Sequence, residues 1–256
     1  MSPVQVEDWI ALIEVACQQA STDCVDVILD QAGMAAPLLP SVLSVQSAMP
    51  WHSLFTGLPE EVLADVGPLL VRIDLAQPFQ RHWLIGLLRS LPLDSQPLML
   101  ISQWPFEALA THLTQCLDAR NGRFSGLLRY YDPRVFAVLF SHVLRAEQQQ
   151  PWLRPALLWS WLDRDGTPQH LTGCSDTPQS PQPFGATELS ARQLGMLSCV
   201  SDVARMLKRR GHSLPVEQGD EQRFQLCYAA MLQACEERLS LDCEREAFVC
   251  EQVRNA

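Results

Sequence analysis

Asp132 and Arg134 stand two residues apart in LLRYYDPRVF (127–136), a stretch whose residue types could do chemistry. A carboxylate beside a guanidinium can bind a polar group or relay a proton, and His52 would supply the base of a small hydrolase or transferase. The same residues also spell a joint between two structural elements. Aspartate is favoured at a helix N-cap, where its side chain accepts a backbone N–H of the first turn. Proline is favoured at the first helical position, where a missing N–H costs nothing. Val135, Phe136, Leu139, Phe140 and Val143 then continue at helical spacing. The pattern predicts a strand, a cap and a helix, with Asp132 accepting backbone N–H bonds and Arg134 paired to a nearby carboxylate.

Other candidate chemistry is thinner. GRFSG (122–126) puts its serine in the fourth place, whereas a nucleophile elbow needs it in the third. Neither G-x-x-x-x-G-K-[ST] nor G-x-G-x-x-G occurs, so no glycine loop is present to cradle a phosphate or a dinucleotide. His112 and Cys116 lie one helical turn apart, but a structural zinc takes four ligands and no second pair is nearby. Cys227, Cys235, Cys243 and Cys250 recur across an expected helix break and read as small buried hydrophobes. Asp163 and Asp165 in DRDG make a turn with Gly166. No catalytic set, metal or cofactor is expected.

The totals narrow the class. A chain of 256 residues, 47% hydrophobic and 19% charged, can bury one substantial core or two unequal ones. Its nine cysteines are scattered and odd in number, the pattern of reduced thiols in a cytoplasm rather than of a disulfide framework. No Lys or Arg precedes Arg72, while Glu7, Asp8, Glu14, Asp23, Asp26, Asp30, Glu60, Glu61 and Asp65 are all acidic. That leaves no basic start for a secretory signal. No apolar run approaches the ~20 residues that span a bilayer. A net charge of −10 also suits nucleic acid poorly. Lys208, Arg209 and Arg210, just before Gly211, compensate the C-terminal dipole of a helix.

The elements that must position these residues fall into two regions. Val6, Trp9, Ile10, Ile13 and Cys17 form the apolar stripe of a first helix over 4–20. VDVILD (25–30), PLLVRID (68–74), PLMLIS (97–102), GLLRYYD (126–132) and ALLWSWLD (156–163) are of strand length, with helical patterns between them, including PFQRHWLIGLLRS and PFEALATHLTQCL. The alternation predicts an α/β lobe over 1–165 with some parallel pairing, and Asn121-Gly122 adds a tight hairpin, so the sheet is mixed. Residues 166–187, rich in Pro, Gly, Ser and Thr, read as a flexible linker or long loop. A small all-α lobe follows over 188–256, opened by a Ser190/Gln193 capping box, with Phe224, Tyr228, Met231, Cys235 and Leu239 on one helix face. A last helix over about 242–253 buries Phe248 and Val249.

Trp51, Phe55, Tyr130, Tyr131, Trp159 and Trp161 admit two readings: they fill the core, as aromatics ordinarily do, or some line a groove for an apolar client segment. With Asp132 and Arg134 they are the candidate partner contacts.

The succession VDVILDQAG, PWHSLFTGLPEEVLADVGPLLVRID, PLMLISQWPFEALATHLTQCL, LLRYYDPRVF and ALLWSWL resembles the adaptor chaperones of bacterial type VI secretion, also called effector chaperones or Tec proteins. The similarity covers most of residues 24–163. It implies a non-enzymatic cytoplasmic protein that binds one cognate toxic effector and loads it onto a VgrG or PAAR-bearing spike protein. It implies neither nucleic-acid binding nor membrane insertion.

Overall fold

VDVIL, LLVRI and LMLI are apolar almost without alternation because both faces of the strands they form are covered. In the computed structural model, which describes residues 3–177, 185–210 and 219–255, they become β1 (Cys24–Leu29), β3 (Leu69–Asp74) and β4 (Leu98–Ile101). With β2 (Trp51–Ser53), β7 (Leu158–Leu162) and β8 (Pro168–Thr172) they build a six-stranded sheet in the order β2-β3-β1-β4-β7-β8. Val25, Val27, Leu29, Val71, Ile73, Met99 and Ile101 share one core cluster with Val6, Trp9, Ile10, Ile13 and Cys17 of α1 (Pro3–Gln19) and Leu84 and Leu88 of α3 (Pro78–Ser90). The opposite face carries Ile28, Leu70, Leu98, Leu100 and Trp159, all fully buried.

Every pairing in this sheet is antiparallel. The expected parallel pairing is therefore absent from it: apolar runs report two covered faces and carry no information on strand direction. A second sheet, β6-β5-β9, supplies the mixed character. There β5 (Asp118–Asn121) runs antiparallel to β6 (Phe124–Leu127) and parallel to β9 (Thr187–Glu188). The β5–β6 hairpin forms where expected, around a two-residue turn with positive φ at Gly122.

Two further expectations are corrected. Residues 126–132 are not one strand: β6 ends at Leu127, and the chain turns through Arg129–Asp132, with Asp132 N–H donating to Arg129 O at 3.2 Å. Nor are residues 166–187 a connector throughout. Asp163 Oδ1 accepts the N–H groups of Asp165 and Thr167, both at 2.9 Å, and Gly166 adopts φ +78°, so DRDG closes a hairpin and returns the chain as β8 along β7. Residues 178–184 of that segment lie outside the described residues.

The chain divides into two compact units, Met1–Phe136 with Arg145–Glu188 and Ala137–Leu144 with Leu189–Ala256. The second contains α7 (Ala191–Arg210), α8 (Asp220–Glu236) and α9 (Asp242–Asn255). Its capping box is in place: Ser190 N–H donates to Gln193 Oε1 at 2.9 Å and Gln193 N–H to Ser190 Oγ at 3.3 Å. Lys208, Arg209 and Arg210 occupy the last turn of α7, and Gly211 lies outside the described residues. Phe224, Tyr228, Met231 and Val249 are buried, whereas Phe248 is only partly so. Cys227 and Cys250 are buried as expected. Cys235, in the last turn of α8, and Cys243, in the first turn of α9, are instead exposed.

One polar pair lies inside the main sheet. Asp26 and Arg72 are cross-strand partners on β1 and β3, joined by Nε–Oδ1 and Nη2–Oδ2 bonds of 2.8 and 2.7 Å, and the Asp26 side chain is wholly shielded from solvent. Replacing Arg72 by Met is expected to destabilise the chain by about 3–5 kcal/mol, the range for a buried charge stripped of its partner. Burial already holds the Asp26 carboxyl above its ordinary range, with the guanidinium pulling it down. Without the guanidinium the folded-state value rises further above the unfolded one. The deficit is therefore smallest in acid and grows as pH rises from the natural chain's folded-state value to the variant's. Urea titrations at mildly acidic and neutral pH read it directly, and a deficit independent of pH would show that Asp26 is not the group left stranded.

Candidate functional site

The turn at Arg129–Asp132 opens α5 (Pro133–Val138), and its polar groups are fully engaged with one another. Asp132 Oδ1 accepts the Arg134 N–H at 3.0 Å, and the Asp132 carbonyl accepts those of Val135 and Phe136 at 2.9 and 2.8 Å. Asp132 is thus the N-cap that the DPR order predicts. Arg134 folds back onto the same carboxylate with Nε–Oδ1 and Nη2–Oδ2 bonds of 2.9 and 2.8 Å, and the bond to Asp132 holds its guanidinium above the ordinary range. The nearby carboxylate expected for Arg134 is the cap itself.

The neighbouring residue pair repeats the arrangement. Arg129 donates from Nη2 to Asp30 Oδ2 at 2.8 Å, and its guanidinium carbon stands 5.6 Å from the centre of the Tyr131 ring. Asp30 follows β1 directly, so this bond fastens the turn to the end of a central strand. Two acids and two guanidiniums alternate here, and each acid is held by a cation. That arrangement positions backbone at the start of α5. His52 lies on the edge strand β2, opposite Leu70.

The aromatic candidates separate into two places. Tyr130 is fully buried, donates from its hydroxyl to Leu113 O at 2.9 Å and meets the Trp152 ring edge-on at 5.7 Å. Trp159, also fully buried, donates from Nε1 to Trp152 O at 2.8 Å, and Phe136 packs against Trp159 and Trp161 at 5.1 and 5.4 Å. Burial pushes the hydroxyls of Tyr130 and Tyr131 up from their ordinary range. Tyr131 is buried and Trp161 partly so. These rings build an interior rather than a surface.

Trp51 and Phe55 belong to the other end of the sheet. Strand β2 is four places from β7 in the strand order, which sets Trp51 about 19 Å from Trp159 at ~4.8 Å per strand. No single groove spans both. Phe55 is buried against Gly67, where a Cβ would come within 2.5 Å of its ring. Of the named aromatics only Trp51, 40% exposed, faces solvent to a large extent.

The stretch of chain on either side of Trp51 exposes apolar side chains that the strand-and-helix reading passed over. Leu43 ends α2 (Leu39–Leu43), Phe79 is in the first turn of α3, and Val62, Leu63 and Val66 sit on and just after a 3-10 turn at Pro59–Leu63. Val62 is 89% exposed. A signal was available in LPEEVLADVG: apolar residues grouped with acids on a segment too short to bury them. Glu60, Glu61 and Asp65 of this segment form no ion pair among the described residues.

The other cluster considered for metal is occupied differently. His112 Nε2 lies 2.6 Å from Pro151 O, burial lowers its proton affinity, and Cys116 is fully buried. Among the described residues no group of three or more His, Cys, Asp or Glu is placed to hold a metal ion.

Asp132→Ala is expected to lower stability by about 1–2 kcal/mol through loss of the cap. Asp132→Asn keeps a cap acceptor and gives up only the pairing with the half-exposed Arg134, a loss of under about 1 kcal/mol. Denaturant titration of the two variants separates the contributions: equal losses would assign the effect to the ion pair instead of the cap.

Among the described residues no helix is long and apolar enough to cross a membrane. No curated protein and no solved structure matches the chain. Residues 27–150, which carry the second half of β1, the exposed apolar segment around β2 and the whole Asp132 joint, match the model of a family described as a domain of unknown function, DUF4123.

Proposed function

We propose that this chain is a cytoplasmic adaptor chaperone, not an enzyme, which binds a cognate type VI secretion effector and assists its loading onto a VgrG or PAAR-bearing spike. The observation that carries the reading is the concentration of exposed apolar side chains between residues 43 and 79. Leu43, Trp51, Val62, Leu63, Val66 and Phe79 are all at least 40% exposed, and they lie within the segment that matches the family. A soluble protein keeps such a collection in water when another chain is to cover it. The resemblance of the YYDPRV joint and the WHSLF to LVRID block to the effector chaperones supplies the secretion context.

The chemistry of the client segment follows from what surrounds the surface. Glu60, Glu61 and Asp65 favour an apolar segment flanked by Lys or Arg. Burial of the apolar groups supplies the affinity, and the charges raise the encounter rate. Release needs no reaction, since an apolar contact is exchanged for another at the spike.

Affinity purification of the full chain from its native host, with mass spectrometry of what co-elutes, tests the function. A type VI effector together with a VgrG or PAAR protein is the expected yield, and no enrichment of any secretion component would overturn it. The surface is tested by Val62→Asp with Val66→Asp against the purified effector. Losing the burial of two valines, about 1.5 kcal/mol each, weakens binding roughly a hundredfold. The thermal transition of the variant stays in place, because both side chains are already in water. An effector that binds the double variant as tightly as the natural chain would remove this surface from the proposal.

A further inference from the structure

Two of the nine cysteines face each other across the helical unit, and nothing in the proposed binding role uses them. Cys199 Sγ on α7 lies 3.6 Å from Cys235 Sγ on α8, a van der Waals contact with no atom between the two sulfurs. The environments of the two thiols differ in a way that assigns them separate parts. Cys235 is exposed, and Arg245 of α9 approaches its sulfur with Nη1 at 3.8 Å. Cys199 is 1% exposed and has its proton held firmly, its thiol pushed up to about 12 by burial. An exposed sulfur is the one that an oxidant in solution can reach. A buried thiol in contact with it is positioned to resolve the product.

We propose that Cys199 and Cys235 are a peroxide-responsive dithiol that closes to a disulfide between α7 and the last turn of α8. Cys235 loses its proton to solvent, its thiolate attacks one oxygen of hydrogen peroxide, the O–O bond breaks, and a sulfenic acid forms as hydroxide leaves and takes up the proton that the thiol released. Cys199 sulfur then attacks Cys235 sulfur. The S–O bond breaks, and the hydroxyl departs as water with the proton that Cys199 gives up. Two thiols are oxidised by two electrons and one peroxide is reduced to two waters. A thiol reductant reverses the change by exchange at the exposed Cys235 sulfur.

The remaining cysteines lack this combination. Cys174 and Cys243 are exposed and Cys24 is half-buried, but none of the three has a sulfur partner within hydrogen-bonding reach among the described residues, while Cys17, Cys116, Cys227 and Cys250 are buried. Closing the bond would tie together two helices whose connection in the sequence runs from residue 211 to 219, and would restrict the unfolded chain between residues 199 and 235.

The test uses the full chain, reduced and then exposed to hydrogen peroxide, alkylated, and mapped by mass spectrometry without reduction. The expected product is a linked peptide pair containing Cys199 and Cys235 that disappears on adding dithiothreitol, together with an upward shift of the thermal midpoint in the oxidised chain. In Cys199→Ala the Cys235 sulfenic acid has no resolving thiol and is captured by dimedone, whereas Cys235→Ser yields no adduct at Cys199. The natural chain alone decides the outcome if either variant fails to fold. Both thiols remaining free to alkylate, a disulfide joining any other pair, or Cys235 passing to sulfinic acid without a linked peptide would each overturn the proposal.

Discussion

An ion pair inside a sheet whose faces are both covered constrains everything around it. Asp26 and Arg72 face each other across β1 and β3, and a slip of one residue in that pairing would turn one of the two charges into the apolar layer beneath α1 and α3 and strand the other. Correct register instead gives the carboxylate two guanidinium bonds and lets Arg72 Nη1 reach Trp104 O at 3.0 Å, with the guanidinium carbon 5.5 Å from the Phe106 ring centre. The pair is weak as a source of net stability, because taking two charges out of water costs about what their attraction returns. Its value lies in discrimination among registers. With β1 and β3 locked, Val25, Val27, Leu29, Val71 and Ile73 must all face the two helices, and the chain that follows β1 must emerge where Asp30 meets Arg129.

How much of this was legible in the sequence depended on whether the signal was local. α3 begins and ends where PFQRHWLIGLLRS does, and the α1 stripe is buried at every residue named for it, because a 3.6-residue period and a proline at the first turn are properties of short segments. Strand direction is not local. VDVILD and PLLVRID announce two covered faces, but whether the neighbour runs the same way depends on where the connecting chain returns. The DRDG hairpin was readable as a turn, and its consequence, a further strand from a Pro- and Thr-containing stretch, was not, since β8 has only one partner and a partly exposed pattern. GLLRYYD failed as a strand for the opposite reason. Its apolar residues belong to two structures, β6 and the buried side of a turn, joined without a break in hydrophobicity.

The candidate site was legible in the same uneven way. Asp132 as a cap followed from residue order alone. That Arg134 would close on the same carboxylate, and that Arg129 would reach back to Asp30, ninety-nine positions earlier, required the fold. The aromatic residues were correctly seen as numerous, yet residue type cannot separate a ring that fills an interior from one that meets a partner. Trp51 and Trp159 are the same residue on strands of the same sheet; only the edge position of the first leaves it in water.

The charge pattern that first distinguished the chain acquires a physical reason once the pairs are known. Four cations of the first unit go to acids far earlier in the chain: Arg72 to Asp26, Arg81 to Glu14, Arg89 to Glu7 and Arg129 to Asp30. Each tie joins one of the first two elements, or the residue just after them, to a later part of the chain. None of these cations serves Glu60, Glu61 or Asp65. The most exposed apolar segment of the unit is therefore also one that keeps its negative charge. Two copies of such a surface repel each other at the short range where apolar contact would begin, within a Debye length of about 8 Å. A basic apolar segment is attracted over the same distance. Under the binding role proposed above, these acids would act in two directions, opposing self-association of the exposed apolar segment and favouring one chemical class of partner, because the cations named are committed to holding the sheet and its helices in place.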